Sequence, residues 1–585
     1  MLAFFPKNRF QNPSGLRRRC GVLSLGLGLV LLVAACDDGR KKETAAPQTS
    51  AQAELEGGFA GRYLAGRHAA ITRDFTAAAD FMAAALAYDP ENADLLRRTF
   101  YLMADEGRFE EADRLAERVL VIEPEDPIAG FYRMARSFRA GNPATALDDL
   151  EKMPRRGLNA YLQPLFSGWI HFALGDGEKA VEALGRLARA EDFQTIYHYH
   201  LALLYDLEGK DDVAEDNYKL ALDDHPPSLR GIEALGNFYE RHNRREEAHK
   251  LYGEYVSDDS PSLLLIERQE RLAGGKPPAR LIGSPAEGLA EAFFNLAGLL
   301  QQQGAHEFAL VAARLAMDLR ADFYDVHMLV AEIYEAQERY RAAIHLSEQI
   351  PSETAWGWLA QLRTARNYDL LNEEKKAILL LKDMAKKRPE RIDAPIELGT
   401  LLRMREQYGE AIVAYDEAIK RIKKVAPRHW TIFYARGIAF EQSGKWEKAE
   451  ADLLRALQLQ PDQPYVLNYL GYSWLEHGQQ LDRARRYIER AVELRPDDGY
   501  IVDSLGWALY RTGAYEEALP HLERAVELRP NDPIINDHLG DVYWQVGRRY
   551  EARFQWKRAL TFNADPKLGE NIQTKLESGL PEKDG

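Results

Sequence analysis

The chain has 585 residues, 46% of them apolar, with 28 Tyr, 22 Phe and 9 Trp. That is more than one ordinary core and too rich in large apolar side chains to stay unfolded. Its formal charge is −15, and the only charges in the first 35 residues are Lys7, Arg9, Arg17, Arg18 and Arg19, which leaves the remainder at about −20. A body so acidic repels phosphate backbones and argues against nucleic acid as the main ligand. Cys20 and Cys36 are the two cysteines, so disulfides, thiolate metal sites and cysteine nucleophiles are excluded beyond position 36.

In chain order, a basic stretch over 1–19 leads into an apolar run over 21–35, and Cys36 follows. The run is shorter than the about 20 residues a spanning helix needs. Basic leader, short apolar run and small residues before the break form a secretory signal. Val33-Ala34-Ala35-Cys36 resembles the lipobox of bacterial lipoproteins. The resemblance implies a signal peptide over 1–35, a lipid-modified Cys36 as first residue of the mature chain, and a lipoprotein of the bacterial envelope facing the periplasm. Asp37 directly after that cysteine points to the inner membrane by the sorting rule of enteric bacteria. Residues 36–58 are polar, rich in small residues and without an apolar period, and read as a flexible tether.

Beyond the tether a period of 34 dominates. It is carried by Ala78, Ala112, Ala146, Ala180, Ala214 and Ala248, then by Ala309, Ala343, Ala377 and Ala411. After one longer step come Ala449, Ala484, Ala518 and Ala552. Each alanine keeps the same frame: Leu505-Gly506, Gly513, Ala518, Leu522, Ala525 and Pro530 recur one period later as Leu539-Gly540, Gly547, Ala552, Trp556 and Ala559. Small residues let two antiparallel helices meet, a turn glycine ends the first helix, and a proline stops the second. This frame resembles the tetratricopeptide (TPR) repeat. The resemblance implies an all-α helix-turn-helix solenoid of about fourteen repeats in two arrays, 59–256 and 289–566. A Pro- and Gly-rich linker over 257–288 separates the arrays, and a C-terminal tail covers 567–585. Phe100 and Met134 stand where the repeat prefers Gly or Ala.

In TPR proteins positions 2, 5, 9 and 12 of each repeat face the groove. Here they give Phe131, Phe138, Leu162, Leu165, Trp169, Phe172 and Tyr199 in repeats three to five. Repeats eleven to fourteen give Tyr434, Tyr465, Tyr472, Tyr500, Trp507, Tyr510 and Trp544, with Asp503, Asp537 and Asp541 nearby. Such aromatic rows suit apolar anchors of partner proteins or extended peptides. No repeat pair supplies the Lys and Asn set of the two-carboxylate clamp. P-loop, GxSxG, HExxH and CxxC motifs do not occur, so the expectation is a binding protein without catalytic residues, cofactor or metal. His198 and His200, two apart on a helix, point in different directions and are not expected to share a metal.

The order of parts also carries a narrower resemblance. Lipobox, tether, degenerate repeats, the segment GSPAEGLAEAFFNLA and a closing run from LGYSWLEHGQQL to VELRPND are similar to TPR lipoproteins that act as adaptors for periplasmic carboxy-terminal processing proteases. That resemblance implies a scaffold delivering cell-wall hydrolases to a protease, and it favours the outer membrane. The alternative is an assembly factor for an envelope machine such as a polysaccharide-export, pilus or secretin complex.

Overall fold

The computed structural model describes residues 58–156, 159–189, 193–223, 227–255, 263–274, 277–562 and 565–580. Cys36, the expected signal peptide and nearly all of the expected tether lie outside the described residues. The described residues form thirty α-helices, with no strand among them. They divide into two compact units between Met384 and Ala385.

The first unit opens with six helix pairs: α1 (Phe59–Ile71) and α2 (Phe75–Leu86), α3 (Ala93–Asp105) and α4 (Phe109–Ile122), α5 (Pro127–Arg139) and α6 (Pro143–Glu151). Then come α7 (Asn159–Ala173) and α8 (Gly177–Leu184), α9 (Gln194–Glu208) and α10 (Asp211–Leu220), α11 (Leu229–Arg241) and α12 (Arg245–Tyr255). A single helix α13 (Leu263–Gly274) follows, in the stretch expected to be a linker. Three more pairs are α14 (Pro285–Gln302) and α15 (His306–Leu319), α16 (Tyr324–Ala336) and α17 (Tyr340–Ser347), α18 (Ala355–Leu370) and α19 (Glu374–Lys387). The unit boundary falls within α19.

The second unit holds five pairs. They are α20 (Asp393–Met404) and α21 (Tyr408–Arg421), α22 (Trp430–Gln442) and α23 (Trp446–Leu459), α24 (Pro464–Glu476) and α25 (Leu481–Leu494). α26 (Gly499–Arg511) and α27 (Tyr515–Leu528), then α28 (Pro533–Gln545) and α29 (Arg549–Leu560), complete them, and α30 (Pro566–Ser578) closes the unit.

The helix ends follow from local chemistry. First helices open on side chains that accept a backbone N–H of the first turn: Asn92, Asp126, Ser228, Ser284, Asp498 and Asp532. These acceptors satisfy donors the helix itself leaves unpaired. Every pair then turns through a left-handed residue, and the fourteen are Arg73, Gly107, Gly141, Gly175, Gly209, Asn243, Gly304, Glu338, Asn372, Glu406, Gly444, Gly478, Gly513 and Gly547. The fourteen alanines of the sequence register are all fully buried. The fourteen repeats expected from that register are therefore present.

Within a pair the helices meet where the first withdraws its side chain and the second, sixteen residues on, fills the space. A Cβ on Gly540 would lie 2.4 Å from Trp556, one on Gly506 2.5 Å from Leu522, and one on Gly399 2.7 Å from Tyr415. Phe100 departs from the pattern without breaking it, because the residue sixteen on is Ala116 and both are fully buried. Large and small have exchanged helices, which keeps the packed volume.

One pairing was not expected. α14 packs on α7 and α9, and α15 on α3 and α5. The hairpin placed at the start of a second array thus lies inside the first compact unit, against the first helices of repeats two to five. α14 suits an interior place, since Gly288 through Phe293 are six consecutive buried residues and leave that segment no exposed face.

Of the non-glycine turns, Glu406 adopts φ 60°. An L-residue pays about 1–2 kcal/mol there, part of which glycine returns through its looser unfolded chain. Glu406→Gly is therefore expected to stabilise the protein by about 0.5–1 kcal/mol, read as a raised urea midpoint at unchanged slope; an unchanged or lowered midpoint contradicts the strain.

Candidate functional site

The two aromatic rows expected from the sequence meet different fates. In the first unit Phe131, Phe138, Leu162, Leu165, Trp169 and Tyr199 are buried, and Phe172 is half-buried. The expectation of an open groove here is corrected: the chain's own α14 and α15 cover it. The Trp169 ring lies so close over Gly288 that a Cβ there would stand 2.3 Å from it. Phe166 meets Phe293 at 4.6 Å between centroids, and the Tyr199 hydroxyl donates to Glu291 at 3.1 Å. Trp169 Nε1 donates to His200 Nδ1 at 3.0 Å, and the Asn295 amide stands 3.2 Å from His200 Nε2. Burial holds the His200 imidazole down to about 3, so it stays neutral and can accept from the indole.

Charge locks the same contact. Arg230 of α11 donates to Glu233 and to Asp325 of α16 at 3.2 Å each, and pairs with Glu291 of α14. Arg268 of α13 adds a contact of 2.9 Å to Glu233. Burial pushes the Asp325 carboxyl up to about 6 despite these cations. Further along, Arg136 of α5 donates to Asp318 of α15 at 2.6 Å, and Arg339 reaches Asp105 and Glu106 of α3 at 3.0 and 2.6 Å. Unpaired, such buried charges would each cost several kcal/mol, so together they fix which helices occupy this face.

In the second unit the row is more open. Tyr434 is buried, while Tyr465, Tyr472, Tyr500, Trp507, Tyr510 and Trp544 are half-buried. Trp544 is closed over by the end of the chain: Trp556 lies 5.4 Å away, Arg549 5.0 Å, and a Cβ at Gly579 would be 2.1 Å from its ring. The remaining aromatics lie on α24 and α26, at spacings that place them on one face of each helix. Trp507 stacks on Tyr510 at 4.8 Å and on His538 at 3.9 Å, and its Nε1 donates to Glu476 at 3.3 Å.

Asn468 was missed from sequence. It lies between Tyr465 and Tyr472 on the same face, is only 6% exposed, and its Oδ1 has no hydrogen-bond partner. A buried amide oxygen without a donor costs about 1–3 kcal/mol, so this face holds an unmet acceptor beside aromatic surface. Its place at position 5 of the repeat, a groove position, was the available signal.

Beside this face α26, α28 and α30 meet through a buried ionic cluster. His538 Nδ1 lies 2.9 Å from Asp503, and Lys575 of α30 donates to both Asp537 and Asp541 at 2.8 Å. Asp541 also accepts from Trp556 Nε1 at 2.9 Å. Burial lifts the Asp541 carboxyl to about 6, with Asp537 adding to the lift and Lys575 opposing it. Burial lowers the His538 imidazole, but Asp503 together with Asp537 and Asp541 outweighs it and the net shift is upward.

No group of three or more His, Cys, Asp or Glu side chains placed to hold a metal occurs among the described residues. His198 Nδ1 turns to Asn217 at 2.8 Å, away from the partners of His200.

The tetratricopeptide repeat family model matches residues 167–228, 396–464 and 470–533. No curated protein matches the sequence. Among solved structures the chain is similar to the APC/C hetero-tetramer Cut9–Hcn1, at 17% identity over 84% of this chain and 96% of that one, TM-score 0.38. It is similar to yeast Tom70 at 13% identity over 89% and 95%, TM-score 0.34. It is also similar to YrrB, described as a TPR protein with an unusual peptide-binding site, at 21% identity over 33% and 97%, TM-score 0.27. Over the matched residues the helix pairs are TPR repeats, a fold suited to protein–protein interaction.

The C-terminal cluster gives a signed pH dependence. The raised His538 contributes stability that is present below its usual value of 6.5 and is lost as pH rises through its higher folded value. The raised Asp541 carboxyl is a cost when ionised, relieved as pH falls through about 6. Both favour mildly acidic conditions. Calorimetry of the full chain should show the transition of the second unit at higher temperature at pH 6 than at pH 8. Asp541→Asn should flatten that difference, and an opposite slope would refute the assignment.

Proposed function

We propose that the chain is a lipid-anchored scaffold of the bacterial envelope, which captures a segment of a partner protein along α24 and α26 of its second unit. The observation that carries the capture site is the row of half-buried Tyr465, Tyr472, Tyr500, Trp507 and Tyr510 along α24 and α26. Apolar side chains of an extended segment settle among the rings. The lipobox resemblance of Val33-Ala34-Ala35-Cys36 supports the anchor. The similarity in order of parts to adaptors of periplasmic carboxy-terminal processing proteases makes such a protease and its cell-wall hydrolase substrates the leading partners.

Two experiments test this. Cys36→Ser should release the protein from the membrane fraction, with loss of the lipid mass in the wild type; a variant still tightly bound to membranes contradicts the anchor. Trp507→Ala with Tyr510→Ala in the full chain should reduce capture of partners from crosslinked envelopes at least about tenfold, with helicity retained by circular dichroism. Undiminished capture overturns the site. Recovery of a protease together with a hydrolase supports the adaptor role, whereas a secretin or synthase replaces it with the assembly role.

A further inference from the structure

The self-filled face of the first unit leaves one part open. At the start of α15, a cavity of about 660 Å³ lies among α1, α2, α3 and that helix end. That volume is in the range of sites that bury a small ligand or several side chains of a peptide. Its walls are mostly apolar, with Ile71, Phe75, Met82, Leu102 and Phe308 among the lining residues. Ile71 is 73% exposed, which leaves a β-branched apolar side chain facing solvent at the mouth.

The polar lining residues are Arg67, Arg97, Arg98, Asp105, Glu307 and Gln337. Arg97 is held by Glu123 and Asp94. Arg67 of α1 and Arg98 of α3 also line the cavity, are exposed, and make no ion pair among the described residues. The two guanidinium groups exceed the one exposed carboxylate of the lining, Glu307 of α15. Deeper in, Asp105 is 8% exposed, and while Arg339 holds its Oδ2, its Oδ1 has no hydrogen-bond partner. The inner wall is firm, since Arg339 is itself stacked 4.1 Å from Phe75 and 4.0 Å from Tyr334.

We infer that this cavity is a second docking site, for a segment of a protein partner in which acidic and apolar residues alternate. Apolar side chains enter the cavity. Carboxylates meet Arg67 and Arg98, which sit on separate helices and so offer two distinct charges rather than one fork. The site is distinct from the face on α24 and α26 and does not depend on it.

The test is fluorescence polarisation on the full chain. The probe is a labelled, acetylated and amidated peptide of alternating Leu and Glu. One control carries Lys for Glu, and a second carries Gln for Glu with a free carboxy terminus. The acidic probe should bind at least about tenfold more tightly than either control and weaken with added salt. Arg67→Gln with Arg98→Gln should lower its affinity by a similar factor, as should Ile71→Glu, which places an acid at the mouth. All three positions are exposed, so unchanged circular dichroism is expected. Trp507→Ala with Tyr510→Ala should leave binding unaltered. Equal binding of the Lys probe or of the free-carboxylate probe, or indifference to the arginine and Ile71 variants, overturns the inference. Loss of binding in the Trp507 and Tyr510 variant alone assigns the peptide to the second unit and overturns it too, while leaving the proposed capture face standing.

Discussion

Two antiparallel helices pack closely where one of them gives up its side chain, and this molecule repeats that concession along most of its helix pairs. Gly506 yields to Leu522, Gly540 to Trp556 and Gly399 to Tyr415, while the buried alanine of each second helix keeps the backbones near. Each repeat depends on its neighbour for the rest of its burial. What matters is the sum of the two facing volumes rather than the identity of either residue, and Phe100 opposite Ala116 satisfies it as well as glycine opposite tryptophan does.

Stacked pairs leave the first helices with a face that must be covered or used. In the first unit the chain covers most of it with α14 and α15, so a row of aromatics becomes a core. The charges there act as a key. Arg230 has Glu233, Glu291 and Asp325 around it, and of these Glu291 arrives with α14. Burying such a network adds little net stability, but it penalises wrong packing heavily. In the second unit the equivalent face on α24 and α26 is only half covered, with Asn468 keeping a bare acceptor.

The repeat was legible because its rules are local. Alanine spacing, turn glycines and helix-stopping prolines act within a few residues, and their register places the pairs correctly. The turns at Arg73, Asn243, Glu338, Asn372 and Glu406 were not read because their residues merely tolerate the left-handed backbone. The covering of the first groove was hidden for a different reason. Trp169 against Gly288 is a contact between distant parts of the chain, and groove positions alone do not say what fills the groove. The clue was α14 itself, whose LAEAFF segment is too apolar all round for a surface helix. Asn468 was overlooked because an asparagine between two tyrosines has no meaning until its oxygen is seen to lack a donor.

The long separation between Trp169 and Gly288 also sets an order of events during synthesis. Phe131, Trp169 and Tyr199 leave the ribosome well before Gly288, Glu291 and Asn295, the residues that cover them. Domains tend to fold from the N-terminus as they emerge, but here the first six pairs can stack only with an aromatic face still bare. For that interval the nascent chain carries an adhesive surface that the finished protein conceals.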